Sequence, residues 1–223
     1  MNEAIEAARA HIAHIGALMF DRQLTDVAGG NISVRVDDVV CMSPSFSGGI
    51  HHWNLKPQDV LVVSKDGTIL EGTGKLSRES RVHLGLHAEF GEHGKAVIHA
   101  HARNVLVFAV MNRPIPAVME ATLKFGDIPV VAFAPSHTPE LAENIAGAIR
   151  GNEARIRKHA AAAIAPWHGL FVMGKDLNAA FDAVERIDTN AYCILMGQML
   201  NMPDAIAAKQ AELVKAAAAF GKE

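Results

Sequence analysis

Two histidines separated by one alanine are the residues of this sequence best placed to do chemistry. His99 and His101 close the apolar run in AVIHAHARNV, residues 96–105. On a β-strand, residues i and i+2 point to the same face, so the two imidazoles would lie side by side. Neutral imidazole is a good ligand for Zn²⁺, and catalytic zinc sites usually take three protein ligands. Two hydrogen-bonded core histidines are the alternative interpretation, and the His-x-His spacing favours the metal.

A third ligand is expected at His168, in the stretch APWHGLFV. Gly169 follows it, and a glycine at a strand–turn junction lets a backbone and a metal approach closely. A tight turn without a metal is the competing interpretation of this stretch. The other histidines are weaker candidates, with loops predicted for His51, His52 and His137 and surface positions for His11, His14 and His159.

A catalytic acid or base is expected at Glu79, within KLSRESRVHLGLH. Ser77 is predicted to cap a helix that runs to about Gly91 and leads into the His-x-His strand. A helix antiparallel to that strand would return its amino end, with Glu79, to the two histidines. The alternative is a glutamate that only complements the helix dipole. His83 shares the face of Glu79 and is expected either to support the metal site or to be a partly buried helix histidine.

Three short stretches of small residues are candidates for binding a phosphate group. They are AGGNIS (28–33), SPSFSG (43–48) and LSRES (76–80), which offer backbone amides and hydroxyl groups. Each could be an ordinary turn. The third is the strongest, because Ser77 and Arg78 would face an anion at a helix amino terminus. The second offers Ser45 and Ser47. With a metal site nearby, the loops predict a small phosphorylated substrate.

Composition restricts the class of protein. With 223 residues, 50% of them hydrophobic, the chain can bury a core without disulfides or a structural metal. A net charge of −3 gives no reason to expect binding to nucleic acid or to an anionic membrane surface. Cys41 and Cys193 are expected to be reduced thiols of a cytoplasmic protein. The amino-terminal stretch lacks the features of a signal peptide, and no apolar run reaches the roughly 20 residues of a membrane span.

The periodicity of apolar residues and the turn signals predict a single α/β domain over residues 1–223 with a mixed sheet. Helices are predicted at 3–20, 77–91, 102–112, from 139 onward, at 176–199 and at 204–219. Strands are predicted at 31–36, 39–42, 60–63, 69–70, 96–101, 130–133, 160–165 and 170–172.

Taken in order, these motifs resemble the class II aldolase/adducin family, in particular its sugar-phosphate aldolases of the L-fuculose-phosphate aldolase type. The likeness spans about residues 5–200. It rests on five stretches that keep the family's order and spacing: Gly30-Asn31-Ile32-Ser33, the S-P-S loop at 43–45, Ser77 to His83, the His99/His101 pair, and His168-Gly169.

The resemblance implies a three-layer α/β/α sandwich with a mixed, largely antiparallel central sheet. It implies a homotetramer with active sites at subunit interfaces, and Zn²⁺, with Co²⁺ or Mn²⁺ as substitutes, on His99, His101 and His168. Glu79 would be the acid/base residue and would also ligate the resting metal. By the same likeness, phosphate-binding positions fall on Gly30, Asn31, Ser45 and Ser77.

The activity implied is that of a lyase that reversibly cleaves a ketose 1-phosphate to dihydroxyacetone phosphate and an aldehyde. Apolar residues expected near the pocket, namely Met111, Met119 and Phe125, favour an apolar substrate tail. Candidate substrates are therefore 5-deoxyribulose 1-phosphate and 5-methylthioribulose 1-phosphate, the latter a compound of methionine salvage, beside fuculose 1-phosphate.

The sequence departs from the family pattern at two places. Arg78 stands where a second serine is common. Glu120 follows the I-P-A segment where the family places a tyrosine proton donor, and Tyr192 is the only tyrosine of the chain. The donor is expected to be a protonated Glu120 or a water molecule.

Other activities of the same scaffold stay open. They are 4-epimerisation, dehydration of methylthioribulose phosphate and decarboxylation of a keto-acid phosphate. Epimerases of the family carry aspartate at the position of Glu79, so glutamate favours carbon–carbon cleavage. A non-catalytic assembly module like the adducin head should lack the histidine ligands, and their presence argues against that class.

Overall fold

Seven strands form one sheet in the computed structural model, which describes residues 2–200 and 205–220. The strands are β1 (Asn31–Val36), β2 (Val39–Met42), β3 (Leu61–Ser64), β4 (Ile69–Glu71), β5 (Ala96–Ala100), β6 (Ala160–Ala165) and β7 (Gly169–Gly174). Their order across the sheet is β4-β3-β2-β1-β5-β7-β6, and every neighbouring pair is antiparallel. β5, which carries the first histidine of the pair, therefore lies between β1 and β7.

Helices cover both faces of this sheet. The described part of the chain contains α1 (Glu3–Asp21), α2 (Ser47–His51), α3 (Ser80–Phe90), α4 (Arg103–Val110), α5 (Pro139–Ile149), α6 (Glu153–Lys158), α7 (Leu177–Met199) and α8 (Ala205–Phe220). α1, α4 and α7 pack on one face, and α3 and α5 pack on the other. This is the predicted α/β/α sandwich, and the fold class is confirmed.

The central strands are apolar on both sides because helices bury both faces. In β5, Ile98 joins the core under α1 and α7, whereas Val97 joins the core under α3 and α5. His99 follows Val97 by two residues and so points to the face of α3. Because successive side chains of a strand point to opposite faces, the position of a histidine along β5 decides which helices its side chain faces.

Several predicted elements are confirmed with shifts of a residue or two. The 3–20 helix, the first two strands, the paired strands around Gly169 and the 176–199 helix are all present. Asp176 caps α7 by accepting a hydrogen bond from Ala179 N, and Thr138 caps α5 in the same way. The predicted start of the last helix at residue 204 lies outside the described residues.

Other predictions were wrong. Residues 130–133 do not form a strand: Pro129 precedes them, and only an isolated parallel bridge joins Val130 to Ile164. That bridge is also the one parallel pairing among the described residues, so the sheet is less mixed than predicted. The helix after Ser77 begins at Ser80, with Glu79 in the cap position. Two short helices, α2 and α6, were missed.

Across residues 2–200 and 205–220, no helix combines the length and the apolar composition that a membrane span requires.

Candidate metal centre and active site

Three histidines from neighbouring strands converge at one end of the sheet. His99 lies near the end of β5, His101 follows that strand, and His168 stands in the turn between β6 and β7. Their ring centroids are 5.0 Å (His99–His101), 4.6 Å (His99–His168) and 5.8 Å (His101–His168) apart. One potential ligand atom from each lies within 4.8 Å of the others. This spacing suits three ligands of a single metal ion.

The hydrogen bonds of His99 fix which of its nitrogens is free. Its Nδ1 lies 3.0 Å from the carbonyl oxygen of Leu170. Because a carbonyl only accepts, Nδ1 must carry the hydrogen, and Nε2 keeps a lone pair. That Nε2 is buried and has no hydrogen-bond partner. The ring also stacks on Phe171, with centroids 4.2 Å apart. Its orientation is therefore set before any metal arrives.

His101 is held in the same tautomer by a different group. Its Nδ1 lies 3.2 Å from Oδ2 of Asp26, a carboxylate that accepts the hydrogen. Nε2 of His101 is again buried without a partner. Metal-ligating histidines commonly donate their second nitrogen to a carbonyl or a carboxylate in this way.

Gly169 is required by the close packing of the cluster. A Cβ at this position would lie 2.6 Å from the carbonyl oxygen of Ala100 and 3.1 Å from ring carbons of both His99 and His101. A larger residue would push the histidines apart. The His-Gly pair is thus explained by steric contact across β5 and β7.

Burial keeps two of these imidazoles neutral. It lowers the pKa of His99 well below the usual value of 6.5, and the neighbouring His168 and His101 add to the effect. Burial also lowers the pKa of His168, against the opposing influence of Glu79. Neutral imidazole is the form that binds a metal. The donor set, the free Nε2 atoms and the charge state all fit a Zn²⁺-type ion.

Glu79 faces the histidine cluster from the amino end of α3. Its Oε2 accepts hydrogen bonds from Nδ2 of Asn31 and from Oγ of Ser77, both at 3.0 Å. Its Oε1 is buried, has no hydrogen-bond partner and lies 3.6 Å from Nε2 of His168. One oxygen is therefore held in place while the other stays available to a metal or a substrate proton.

A cavity of about 370 Å³ opens over this cluster. The candidate residues that the structure brings together around it are Gly30, Asn31, Ser45, Ser77, Arg78, Glu79, His99, His101 and His168. The wall also contains Ala28, Gly29, Pro44 and Phe46, which belong to the two predicted phosphate-binding stretches at 28–33 and 43–48 but were not singled out within them. Ser136 is the wall residue that sequence reasoning missed, since the only candidate beside it was His137, which was predicted to lie in a loop and is not part of the wall.

Two candidates lie elsewhere in a single chain. Ser47 begins α2, and its hydroxyl donates to the carbonyl of Pro44 at 2.7 Å, so it braces the loop rather than lining the cavity. Glu120 is exposed in a short 3₁₀ turn. Asn190 of α7 accepts from the backbone amides of Val118 and Met119, which holds this segment against α7.

The apolar residues expected near the pocket are also elsewhere. Phe125 belongs to the core under α7, and Met111 is exposed after α4. Met119 lies beside Cys193. The large apolar side chain on the cavity is Phe46, which is 67% exposed in this chain.

Two further buried histidines lie along α3, one and two turns beyond Glu79. Nδ1 of His83 and Nε2 of His87 lie 2.7 Å and 2.8 Å from the hydroxyl of Ser33 on β1. Burial lowers the pKa of each from 6.5 to about 3. His83 is therefore a helix histidine that is hydrogen-bonded to a serine, and its side chain is fully buried.

Residues 10–195 match the sequence model of the Class II Aldolase and Adducin N-terminal domain. The chain belongs to this family. A 5-methylthioribulose-1-phosphate/5-deoxyribulose-1-phosphate aldolase of Rhodospirillum rubrum is 31% identical over 187 residues, which are 83% of this chain and 79% of that protein. A 5-deoxy-D-ribulose 1-phosphate aldolase of Bacillus thuringiensis serovar kurstaki is 28% identical over 222 residues, covering 98% of this chain and 99% of its own.

Solved structures agree with this assignment. An L-fuculose 1-phosphate aldolase superposes with a TM-score of 0.77 at 25% identity, covering 92% of this chain and 95% of that one. The family resemblance and the enzyme class expected from the motifs are confirmed: the chain is a class II aldolase. Class II aldolases are generally metal-dependent, and the cluster of His99, His101 and His168 could hold the metal.

Proposed function

We propose that this class II aldolase uses Zn²⁺ to cleave a ketose 1-phosphate reversibly into dihydroxyacetone phosphate and an aldehyde. The observation that carries the proposal is the convergence of three histidines and the free Oε1 of Glu79 on one cavity. Co²⁺ or Mn²⁺ would serve at the same ligands. The names of the relatives support the reaction class, and a small phosphorylated sugar is the substrate they share.

His99, His101 and His168 would hold the metal. When bound, the ion would act as a Lewis acid that polarises the substrate carbonyl and stabilises the negative charge that develops on its oxygen. The neutral state of His99 and His168 favours binding without competition from protons near neutral pH.

Glu79 would move the proton on the carbon beside the carbonyl. Its Oε2 is anchored by Asn31 and Ser77, so Oε1 has a fixed direction into the cavity. A positioned carboxylate of this kind acts as a general base in condensation and as a general acid in cleavage. Asn31 would therefore position Glu79 through a direct hydrogen bond, in addition to any contact that Asn31 makes with the phosphate.

The phosphate would bind where small residues and Arg78 meet at the cavity wall. Gly30, Ser45 and Ser77 belong to three different loops that line it. Arg78 is exposed at its edge and supplies a cation at the amino end of α3. Holding one end of the substrate here would orient its carbonyl toward the histidines.

The tail of the substrate would be short and apolar, as in 5-deoxyribulose 1-phosphate or 5-methylthioribulose 1-phosphate. Phe46 supports this preference, because it places an exposed aromatic surface on the cavity that an apolar tail could contact. Fuculose 1-phosphate is the more polar candidate.

The proton donor for the aldehyde oxygen would be Glu120 of a neighbouring subunit in a homotetramer, or a water molecule. Glu120 is exposed and lies outside the cavity of its own chain. Its participation therefore requires that active sites form between subunits. Replacing it by Gln should slow turnover only in the assembled enzyme.

A panel of ketose 1-phosphates with coupled detection of dihydroxyacetone phosphate tests the proposal. We expect release of dihydroxyacetone phosphate from at least one of the three named sugars, with a deoxy or methylthio sugar ahead of fuculose 1-phosphate. An epimer, a dehydrated product or carbon dioxide, without dihydroxyacetone phosphate, would move the assignment to another reaction of the family.

A further inference from the structure

Asp26 uses its two carboxylate oxygens for two different parts of the site. Oδ1 accepts hydrogen bonds from the backbone amides of Ala28 and Gly29, at 2.8 Å and 2.7 Å. Oδ2 lies 3.2 Å from Nδ1 of His101. A single side chain thus joins a loop of the cavity wall to a candidate metal ligand 75 residues away in the sequence.

The loop and the histidine are also in direct contact. A Cβ on Gly29 would fall 1.9–2.4 Å from three ring atoms of His101, so the glycine backbone packs against the imidazole. Two further hydrogen bonds brace the loop: Thr25 Oγ1 donates to Gly29 O at 2.9 Å, and Trp53 Nε1 donates to Asp26 O at 3.2 Å. Ala28 and Gly29 line the same cavity as His101. The position of the ring and the shape of the loop are therefore set together.

We propose that Asp26 is a positioning residue that fixes His101 in the tautomer able to bind the metal and ties it to the loop that lines the substrate cavity. The inference rests on the metal site proposed above. A hydrogen on Nδ1 leaves Nε2 free to bind, and the negative carboxylate makes the ring a stronger donor. Asp26 would not touch substrate or metal itself.

Replacement by asparagine tests this idea sharply because asparagine has the same shape. The amides of Ala28 and Gly29 both need an acceptor, so Oδ1 of an asparagine would stay with them. Its NH₂ group would then face His101 and donate to Nδ1. That bond favours the opposite tautomer, with hydrogen on Nε2, where the metal must bind. The substitution would preserve the loop and block the ligand.

The experiment measures zinc affinity by competition with a chromogenic chelator, in the full-length protein stripped of metal. We expect Asp26→Asn to weaken zinc binding by about 10–100-fold, the range seen when outer partners of metal ligands are removed. Asp37→Asn is the matched control: it makes the same change of charge at an exposed turn between β1 and β2. It should bind zinc like the wild type. Thermal unfolding of the metal-free proteins checks that Asp26→Asn still folds.

A loss of affinity below 10-fold, or an equal loss in Asp37→Asn, overturns the proposal. If Asp26→Asn does not fold, the wild type decides by ¹⁵N-histidine NMR without metal, with His101→Gln used to assign the signal. Hydrogen on Nδ1 of His101 supports the proposal, and hydrogen on Nε2 contradicts it. A wild type that binds no zinc overturns this proposal along with the metal centre. Inactivity toward every sugar phosphate, with zinc bound, would overturn the proposed reaction and leave the role of Asp26 in metal binding unchanged.

Discussion

The α3 face of the sheet holds two sets of histidines, and their hydrogen bonds differ in one decisive way. In the first set, His99 and His101 give their Nδ1 hydrogens to groups that only accept, the carbonyl of Leu170 and the carboxylate of Asp26. Both rings therefore keep a lone pair on Nε2. In the second set, His83 and His87 share the hydroxyl of Ser33.

A shared hydroxyl has one hydrogen, so it donates to one ring and accepts from the other. Of the two nitrogens left over, on His83 and His87, one then carries hydrogen and one does not. This pair can offer a metal only one lone pair. The comparison teaches that the partner of the non-ligating nitrogen, more than the number or burial of histidines, separates a metal site from a structural cluster.

The largest difference between the two sets is expected in metal binding. His99→Ala should abolish zinc binding and aldolase activity, because it removes a ligand whose lone pair is already aimed into the cluster. His87→Gln should leave the zinc affinity at the wild-type value. Equilibrium dialysis against zinc, read by metal analysis, measures both variants. Equal losses in the two would erase the distinction between the sets.

Glu79→Gln should reduce turnover by about 10²–10⁴-fold while zinc stays bound, since an amide keeps the shape and loses the proton transfer. The rate of dihydroxyacetone phosphate release and the metal content per chain are the two measurements. Glu92→Gln, in the exposed turn that follows α3, is the control. A Glu79→Gln enzyme as fast as the wild type would remove Glu79 as the acid/base group.

Acid should destabilise the fold through the second set. The pKa of His83 and of His87 is about 3 in the folded protein and near 6.5 when unfolded. Below pH 6.5 the unfolded chain binds more protons, so the free energy of unfolding falls as pH decreases, by about 1.4 kcal/mol per pH unit for each histidine, until about pH 3. Urea unfolding of metal-free protein between pH 6 and 4, where the unfolded histidines are mostly protonated, measures this slope.

Variants separate this contribution from that of the metal ligands. His87→Gln should lower the slope by about 1.4 kcal/mol per pH unit, since one titrating group is gone. His14→Gln, which alters an exposed histidine of α1, should leave the slope as it is. If the free energy of unfolding had the same pH slope in the wild type, His87→Gln and His14→Gln, the buried pair would not titrate as described.

The smallest effect is expected for Ser33→Ala. It removes the hydroxyl shared by His83 and His87 and leaves two buried nitrogens unpaired, at a cost of about 1–3 kcal/mol in the free energy of unfolding. Zinc affinity should not change, because no ligand loses its partner. Chemical denaturation and the chelator competition give the two values. If Ser33→Ala also weakened zinc binding, the two sets of histidines would not be independent, and the second set would have to be counted as part of the metal site.

The sequence predicted those features that depend on local periodicity. The His-x-His pair on a strand, His168 before a glycine and Glu79 near the start of a helix are spacings that a single element imposes, and the structure brings these side chains together. The intermixed helical and strand patterns predicted a single α/β domain, whereas its three α/β/α layers were implied by the resemblance to the family. The resemblance to the family added the order of the motifs along the chain.

Features set by distant contacts were not visible. In the sequence, Asp26 has the pattern of an ordinary turn residue, since small residues follow it. Its role was not visible because its second oxygen contacts a histidine ring 75 residues away. Ser33 lies on β1, and its two histidine partners come from α3, about 50 residues away in the sequence. Glu79 was expected within the helix, yet the turn closed by Ser80 N and Ser77 O puts it in the cap position.

The most direct test of the account is a zinc titration of the metal-stripped enzyme, read as the rate of dihydroxyacetone phosphate release from whichever of the three named ketose 1-phosphates is cleaved fastest. We predict no activity after stripping, followed by a linear rise that ends at one zinc per chain. An undiminished rate in the stripped enzyme, or full zinc loading with no release of dihydroxyacetone phosphate, would contradict a zinc-dependent aldolase at His99, His101 and His168.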